Sequence, residues 1–343
     1  MSDFYNEVKT QPEKLRGMLA RYRQEDFASI KAAAALIRSS GTVVFSGMGT
    51  SFHAPLCVYG KLCARVRPVI LEAGELLESC LGIIHPGDVV VLISQSGESV
   101  EIDRLTEKLR GTAKIIGITN QPDSTLARAS SVLLLLHAGP EKSITNKTFT
   151  NTMALLYLLE CCVAEGLPET LCGELDAAVP EMERVLRELP AEIAAAAKTL
   201  APADMVHFIG RGGAAMTVAN QSALIFMEGA NCAARAFTSG GFHHGPIEIC
   251  GPGHRAVFYA NEPETFPKML ELARQIAGYG SHVVMVTNLP CELPGCIQLH
   301  AATAEQFAMA SAMVMELLLV RIAENRGLTA GEFQITNKIC QVD

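Results

Sequence analysis

The sequence predicts an α/β protein built from two similar halves, each a mainly parallel sheet with helices on both faces. Three observations carry this. Short apolar runs alternate with helix-like stretches along most of the chain. Alternation of that kind points to parallel strands joined by crossover helices. The chain also repeats itself. Phe45-Ser-Gly-Met-Gly-Thr-Ser51 matches Phe208-Ile-Gly-Arg-Gly-Gly-Ala214, and Pro86-Gly87 before a buried run matches Pro252-Gly253 before another. Ile115-Ile-Gly-Ile-Thr-Asn120 matches Val283-Val-Met-Val-Thr-Asn288. The offsets are 163, 166 and 168 residues, in the same order, so a whole domain is duplicated rather than a short solenoid unit.

Residues 1–40 read as one or two leading helices. In the first half, apolar or β-branched runs place strands near 42–47, 68–72, 89–94, 114–119 and 131–136. Helical patterns fall between them, near 52–65, 74–82, 99–110 and 123–129. Residues 148–200 are helical in pattern, with a stop at Gly166-Leu167-Pro168 and a charged face over Val179–Leu200. The expected organisation is a helical lead over 1–30, a first domain over 31–165 and a helical linker over 166–199. A second domain with a C-terminal tail takes 200–343.

Composition narrows the function. The chain has 343 residues, 49% hydrophobic and 19% charged, enough for two domains with real cores. Its net charge is −8 with no basic run, which argues against nucleic acid as a partner. None of the eleven cysteines forms a CxxC pair, and most sit in apolar runs. That usage fits buried thiols in a reducing compartment. The polar N-terminus lacks a signal-peptide core, and no apolar stretch reaches the roughly 20 residues that span a bilayer. A cytoplasmic protein without membrane attachment is expected.

The most informative segment is Val89–Glu101. A buried strand opens into Ser94-Gln95-Ser96-Gly97-Glu98-Ser99, and a helix follows. Free N–H groups at a helix start and its dipole favour an anion. Three serines add neutral donors beyond what one helix cap uses. A small phosphorylated ligand is therefore expected. Gly47-Met48-Gly49-Thr50-Ser51 ends the preceding strand. A GxG turn suggests a dinucleotide site, but Phe52 replaces the third glycine of that fingerprint. The alternative is that Thr50 and Ser51 join the serine loop around one phosphate.

Three further residues carry potential acid–base chemistry. Glu228 ends the apolar run Ala223–Gly229, where burial would raise its pKa towards a base working near neutrality. The alternative is a solvated helix-end carboxylate. His244, in His243-His244-Gly245-Pro246, follows a glycine-rich loop and could transfer protons near neutral pH. Lys338 sits near the C-terminus and by itself reads as a solvated lysine. No metal-ligand spacing occurs, and no metal or organic cofactor is expected.

Together these residues resemble the sugar isomerase (SIS) superfamily, in its double-domain form. More closely, they resemble the isomerase half of glucosamine-6-phosphate synthase and its single-chain relatives, the amino-sugar-phosphate deaminases and the fructosamine-phosphate deglycases. The resemblance implies two tandem SIS domains, each a flavodoxin-like three-layer α/β/α sandwich with a five-stranded sheet. It implies that Gly49, Thr50, Ser51, Ser94, Gln95, Ser96 and Ser99 bind the sugar phosphate. The stretch Ala138–Thr150 matches an AGxE…TKxFT pattern that lines the sugar pocket, so Ser143 and Thr145 are implied there. Glu228 matches the glutamate that moves a proton between C1 and C2. His244 matches a ring-opening histidine supplied by the partner subunit, which implies a homodimer with a shared active site. Lys338 matches the terminal lysine that engages the open-chain carbonyl. Ser2, where the synthase has a nucleophilic cysteine, implies no glutaminase activity.

The expected activity is that of a deaminase, deglycase or isomerase acting on a 6-phosphorylated amino sugar or fructosamine. The alternatives are a non-catalytic sugar-phosphate sensor and a simple aldose–ketose phosphosugar isomerase. A sensor would need none of Glu228, His244 and Lys338. The isomerase shares the proton transfer and releases no amine.

Overall fold

The structure is a computed structural model and describes residues 2–335. It contains two parallel five-stranded sheets. The first comprises β1 (Val43–Gly47), β2 (Pro68–Glu72), β3 (Val89–Ile93), β4 (Lys114–Thr119) and β5 (Val132–Leu135), in the order β2-β1-β3-β4-β5. The second comprises β6 (Met205–Gly210), β7 (Ala233–Thr238), β8 (Arg255–Ala260), β9 (His282–Thr287) and β10 (Cys296–Gln298). Its order is β10-β9-β8-β6-β7. Read from the other edge, this is the order of the first sheet. Every strand pairing is parallel.

Contacts divide the chain into two compact units that interleave along the sequence. One holds residues 13–141 and 147–176, and the other holds 2–12, 142–146 and 177–334. The sequence predicts contiguous domains over 31–165 and 200–343. The short pieces 2–12 and 142–146 instead group with the second sheet.

In the first unit, strand alternation supplies a core on each face. Val44, Val90 and Leu92 pack against Ile102, Leu105 and Leu109 of the helix Val100–Leu109 and against Leu76 of Ala73–Glu78. The alternate residues Val43, Phe45, Val89, Val91 and Ile93 are equally buried and face the opposite layer. The helices Phe27–Ser39 and Lys147–Val163 pack against each other in this unit. In the second unit, Ala256, Phe258 and Met285 meet Met269, Leu272 and Ile276 of the helix Phe266–Gly278. The helices Gly213–Ala230 and Ala304–Asn325 are packed partners in the same unit.

Three local expectations need correction. The lead forms three helices, Asp3–Val8, Gln11–Tyr22 and Phe27–Ser39, rather than one or two. The helix expected over 52–65 is split into Thr50–His53 and Leu56–Leu62, because Pro55 lacks an N–H and interrupts the ladder. Finally, Ala304–Asn325 is long and apolar enough to cross a membrane, although its apolar run is interrupted by polar residues. In the fold it is a core helix, with 89% of its apolar window buried.

Candidate functional site

In the first sheet the connections reverse direction between β1 and β3, the place where open parallel sheets form a ligand crevice. Gly47 pairs in register with Ile93, so the loops leaving the two strands lie side by side. The approach is close. A Cβ on Gly47 would stand 2.6 Å from Ser51 Cβ and 2.7 Å from the Ile93 carbonyl oxygen, so only glycine fits. Gly49 then takes a positive φ of 52° and turns the chain into the helix Thr50–His53. Gly49, Thr50, Ser51, Ser94, Gln95, Ser96 and Ser99 are thus gathered at one end of one sheet.

The serine loop is held by its own backbone. Ser94 is buried, and its Oγ accepts from the Gly97 N–H at 3.0 Å. Ser96 Oγ accepts from the Glu98 N–H at 3.2 Å. In both cases the hydroxyl oxygen accepts, which leaves the hydroxyl proton to be donated to an anion. The Gln95 carbonyl accepts from the Asn120 N–H and from Thr119 Oγ1, each at 3.2 Å. Ser99 stands at the N-cap of Val100–Leu109 without capping it through its side chain. The hydroxyl and the helix N–H groups therefore share one helix start with the loop.

One brace was not singled out from the sequence. The Glu98 carboxylate accepts from the Thr125 N–H at 2.8 Å and from Thr125 Oγ1 at 2.9 Å. The Thr125 N–H, then its hydroxyl, hold the Glu98 pKa below its usual value. Gly97, at φ 65°, passes so close to Ser124 that a Cβ would overlap its hydroxyl. The loop is fixed from the side by the start of the helix Thr125–Ala129.

The second unit carries Ser143, Thr145, Glu228 and His244. Glu228 is half-buried in the last turn of Gly213–Ala230. Its neighbour Gly229 packs so tightly that a Cβ would meet Ile144 Cδ1 at 2.8 Å and the Gly331 nitrogen at 3.2 Å. The Gly331 N–H donates to the Gly229 carbonyl at 3.3 Å. The buried Ser143 hydroxyl donates to the Gly331 carbonyl at 2.7 Å. The loop 143–145, the end of the Glu228 helix and the chain at 331 are therefore tied together. Ser143 serves here as the tether. Lys338 lies outside the described residues.

His244 stands elsewhere in this unit. Gly210 pairs with Thr238 and Met205 with Ala233, so β6 and β7 share their ends. Helix Gly213–Ala230 starts beyond the C-terminal end of β6 and returns to just before β7. Glu228 thus lies near the N-terminal edge of the sheet, whereas His244 follows Thr238 beyond the opposite edge. The strand between them is roughly 16 Å long. The His244 ring is exposed and makes a ring contact with His243, with centroids 6.2 Å apart.

A buried histidine pair, also unremarked in the sequence, lies between β6 and the turn before β8. His207 Nδ1 and His254 Nε2 are 3.1 Å apart, and His254 Nδ1 is 3.0 Å from Ser281 Oγ. Burial, then the His207 charge, push His254 down to about 4. Burial, then Arg235, lower His207. The pair fastens the sheet and is remote in sequence from Glu228.

Residues 36–160 match the SIS domain, covering β1 to β5 and the start of the following helical stretch. The chain is 32% identical over 290 residues to a glutamine–fructose-6-phosphate aminotransferase (isomerizing) of Pyrobaculum aerophilum. That alignment takes 80% of this chain and 46% of the relative. It is 29% identical over 313 residues to the aminotransferase of the same name from Aeropyrum pernix, 87% of this chain and 49% of the relative. The chain thus spans about half the length of the curated relatives it matches.

Solved structures share the fold. The C-terminal domain of a glucosamine-fructose-6-phosphate aminotransferase from Francisella tularensis superposes with a TM-score of 0.86 at 21% identity, covering 97% of this chain and 98% of that one. A tagatose-6-phosphate ketose/aldose isomerase from Escherichia coli gives 0.83 at 17% identity, covering 97% and 96%. A glucosamine-6-phosphate deaminase from Thermotoga maritima gives 0.77 at 16% identity, covering 99% and 100%.

Proposed function

We propose that the protein is a phosphosugar-processing enzyme that releases an amine from a 6-phosphorylated amino sugar or fructosamine, and that its second sheet belongs to a second SIS domain. The observation that carries the phosphosugar assignment is the serine loop at the reversal point of the first sheet, with hydroxyl protons left to donate. The SIS match over 36–160 and the aminotransferase relatives support the same substrate class.

In this proposal Ser51, Ser94, Ser96 and Ser99 hold the phosphate, and that remote binding energy orients the reacting carbons. His244 moves the ring proton that opens the hemiacetal. For a 1-amino-1-deoxyketose 6-phosphate, Glu228 removes a proton from C1. The enaminol is reprotonated at C2, which leaves an imine at C1. Water adds to C1, the C1–N bond breaks, and the nitrogen departs with a proton as the amine. An aldose 6-phosphate remains, so the net change is hydrolysis. Lys338 stabilises the open-chain carbonyl.

The separation of Glu228 and His244 across β7 favours a site shared between two copies of the chain. An exposed histidine at the far edge of its own sheet suits a role in a partner's site better than one beside its own Glu228.

The test is amine release measured alongside sugar-phosphate isomerisation. The panel is glucosamine 6-phosphate, fructosamine 6-phosphates including fructoselysine 6-phosphate, and fructose 6-phosphate with ammonia. Amine release from one member supports the proposal and names the substrate. Isomerisation without amine release makes the protein an aldose–ketose isomerase. Tight binding of a member without turnover of any makes it a sensor.

A further inference from the structure

The connection between β9 and β10, within the second unit, carries two cysteines, Cys291 and Cys296. Leu293-Pro294-Gly295-Cys296 is a tight turn. The Cys296 N–H donates to the Leu293 carbonyl at 3.2 Å, and Gly295 takes a φ of 82°. Proline in second place and a glycine at positive φ in third is the pattern of a type II turn. The turn is held to β9, since the Met285 N–H donates to the Gly295 carbonyl at 3.4 Å. It brings Cys296 back towards Cys291, and both side chains pack on the apolar cluster of Phe258, Met269, Leu272, Ile276 and Met285. Burial, then the charge of Cys291, push the Cys296 thiol up to about 12, and a hydrogen bond between the two thiols adds to this. Both thiols are free and only partly buried. Cys57, Cys162, Cys172 and Cys232 are buried, the state in which a thiol is inert. Cys250 shares the cluster, but its sulfur faces His254 Nδ1 at 3.7 Å. Cys291 and Cys296 thus combine contact with each other and access for a small solute.

We infer that Cys291 and Cys296 are a redox modification site, which a peroxide closes to an intrachain disulfide and a thiol reductant reopens. The Cys291 thiolate attacks one oxygen of hydrogen peroxide. The O–O bond breaks, and the other oxygen leaves as hydroxide and takes a proton to become water. Cys291 is then a sulfenic acid. The Cys296 sulfur attacks the Cys291 sulfur and gives up its proton. The S–O bond breaks, and a second water departs. Two thiols and one peroxide thus give one disulfide and two waters, with the two electrons lost by sulfur gained by the peroxide. Cys296 stays protonated at neutral pH and is the poorer nucleophile, so the first attack falls to Cys291. The sulfurs already touch, so closure asks for no large backbone movement. Reopening is thiol–disulfide exchange with a small thiol, which reaches the partly buried bond by the same route as the peroxide.

The experiment treats the whole folded protein with hydrogen peroxide, alkylates it in denaturant and digests it with trypsin for mass spectrometry. Cleavage after Arg274 and Arg321 releases one fragment that holds these two cysteines and no other. The expected fragment takes no alkyl group and is lighter than its reduced form by two hydrogens. Dithiothreitol before alkylation should restore two alkyl groups. Cys296→Ser should halt the reaction at a sulfenic acid on Cys291, which dimedone traps, and Cys291→Ser should leave Cys296 fully alkylated. Both variants exchange one sulfur for oxygen on a partly buried side chain, and the native protein gives the primary result without either. A native fragment that still takes two alkyl groups, at a peroxide dose that oxidises the exposed Cys63, overturns the inference. So does a fragment that gains oxygen in place of the internal bond. Dimedone found on Cys296 in Cys291→Ser, with none on Cys291 in Cys296→Ser, overturns the assigned course of the reaction.

Discussion

Gly97 shows how far a single residue sets the candidate phosphate loop. Its φ of 65° favours glycine, and a Cβ there would strike the Ser124 hydroxyl. Gly97→Ala should therefore displace the turn that Ser94 Oγ stabilises and weaken phosphosugar affinity by at least about tenfold, a fall that calorimetric titration would read. Glu228→Gln keeps the shape of the side chain and removes its basicity. Turnover should fall by about 10²–10⁴-fold with ligand affinity retained. Steady-state kinetics beside a binding isotherm would show this, and unchanged turnover would remove Glu228 from the chemistry. The buried pair His207 and His254 makes a separate prediction about acid. Both pKa values are lowered in the fold, so the unfolded chain binds more protons as pH falls below about 6.5. The stability held by the neutral pair is full above that pH. It should be lost progressively as pH falls towards about 4, by a few kcal/mol in all. Urea midpoints at pH 7 and pH 5 would display the slope, and His254→Phe should flatten it.

At the scale of elements, the strands were the most legible part of the sequence. The runs near 42–47, 68–72, 89–94, 114–119 and 131–136 became β1 to β5 with ends within a residue. Apolar or β-branched runs bounded by Gly, Pro or polar residues are difficult to satisfy in any other way. Helix ends were less legible. Pro55 divided one expected helix, and the stretch near 74–82 stopped at Glu78 before a 3₁₀ turn at Leu81–Ile83. The serine loop stood out because its hydroxyls are adjacent in sequence. Its brace did not, since Glu98 and Thr125 lie 27 residues apart. The tether between Ser143 and Gly331 spans 188 residues and has no local signature at all. The loop also yields a prediction of its own. Ser94→Ala with Ser96→Ala removes two donors to the phosphate and two acceptors for backbone N–H groups. Affinity for a 6-phosphorylated ligand should drop by about tenfold to a thousandfold. Affinity for the dephosphorylated sugar should not change, which separates phosphate recognition from general damage to the fold.

For the whole molecule, the sequence landmarks fall at corresponding places in two five-stranded sheets of the same strand order. Phe45–Ser51 and Phe208–Ala214 end β1 and β6, the two central strands that flank the reversal of each sheet. What the repeat could not reveal is how chemistry is distributed between copies of the chain. The course of Gly213–Ala230 supplies that argument, since it carries Glu228 back to the edge of the sheet opposite His244. If the two residues meet only across a symmetric dimer, each site takes Glu228 from one chain and His244 from the other. Glu228→Gln homodimers and His244→Ala homodimers are then both inactive. A heterodimer of the two variants has one site with both lesions and one site with neither. Random exchange makes half the dimers mixed, so an equal mixture should recover about one quarter of native activity. The assay is amine release after subunit exchange, with exchange itself verified by native mass spectrometry. Residues acting within one chain would leave every site with one lesion, and the mixture would then stay as inactive as its components.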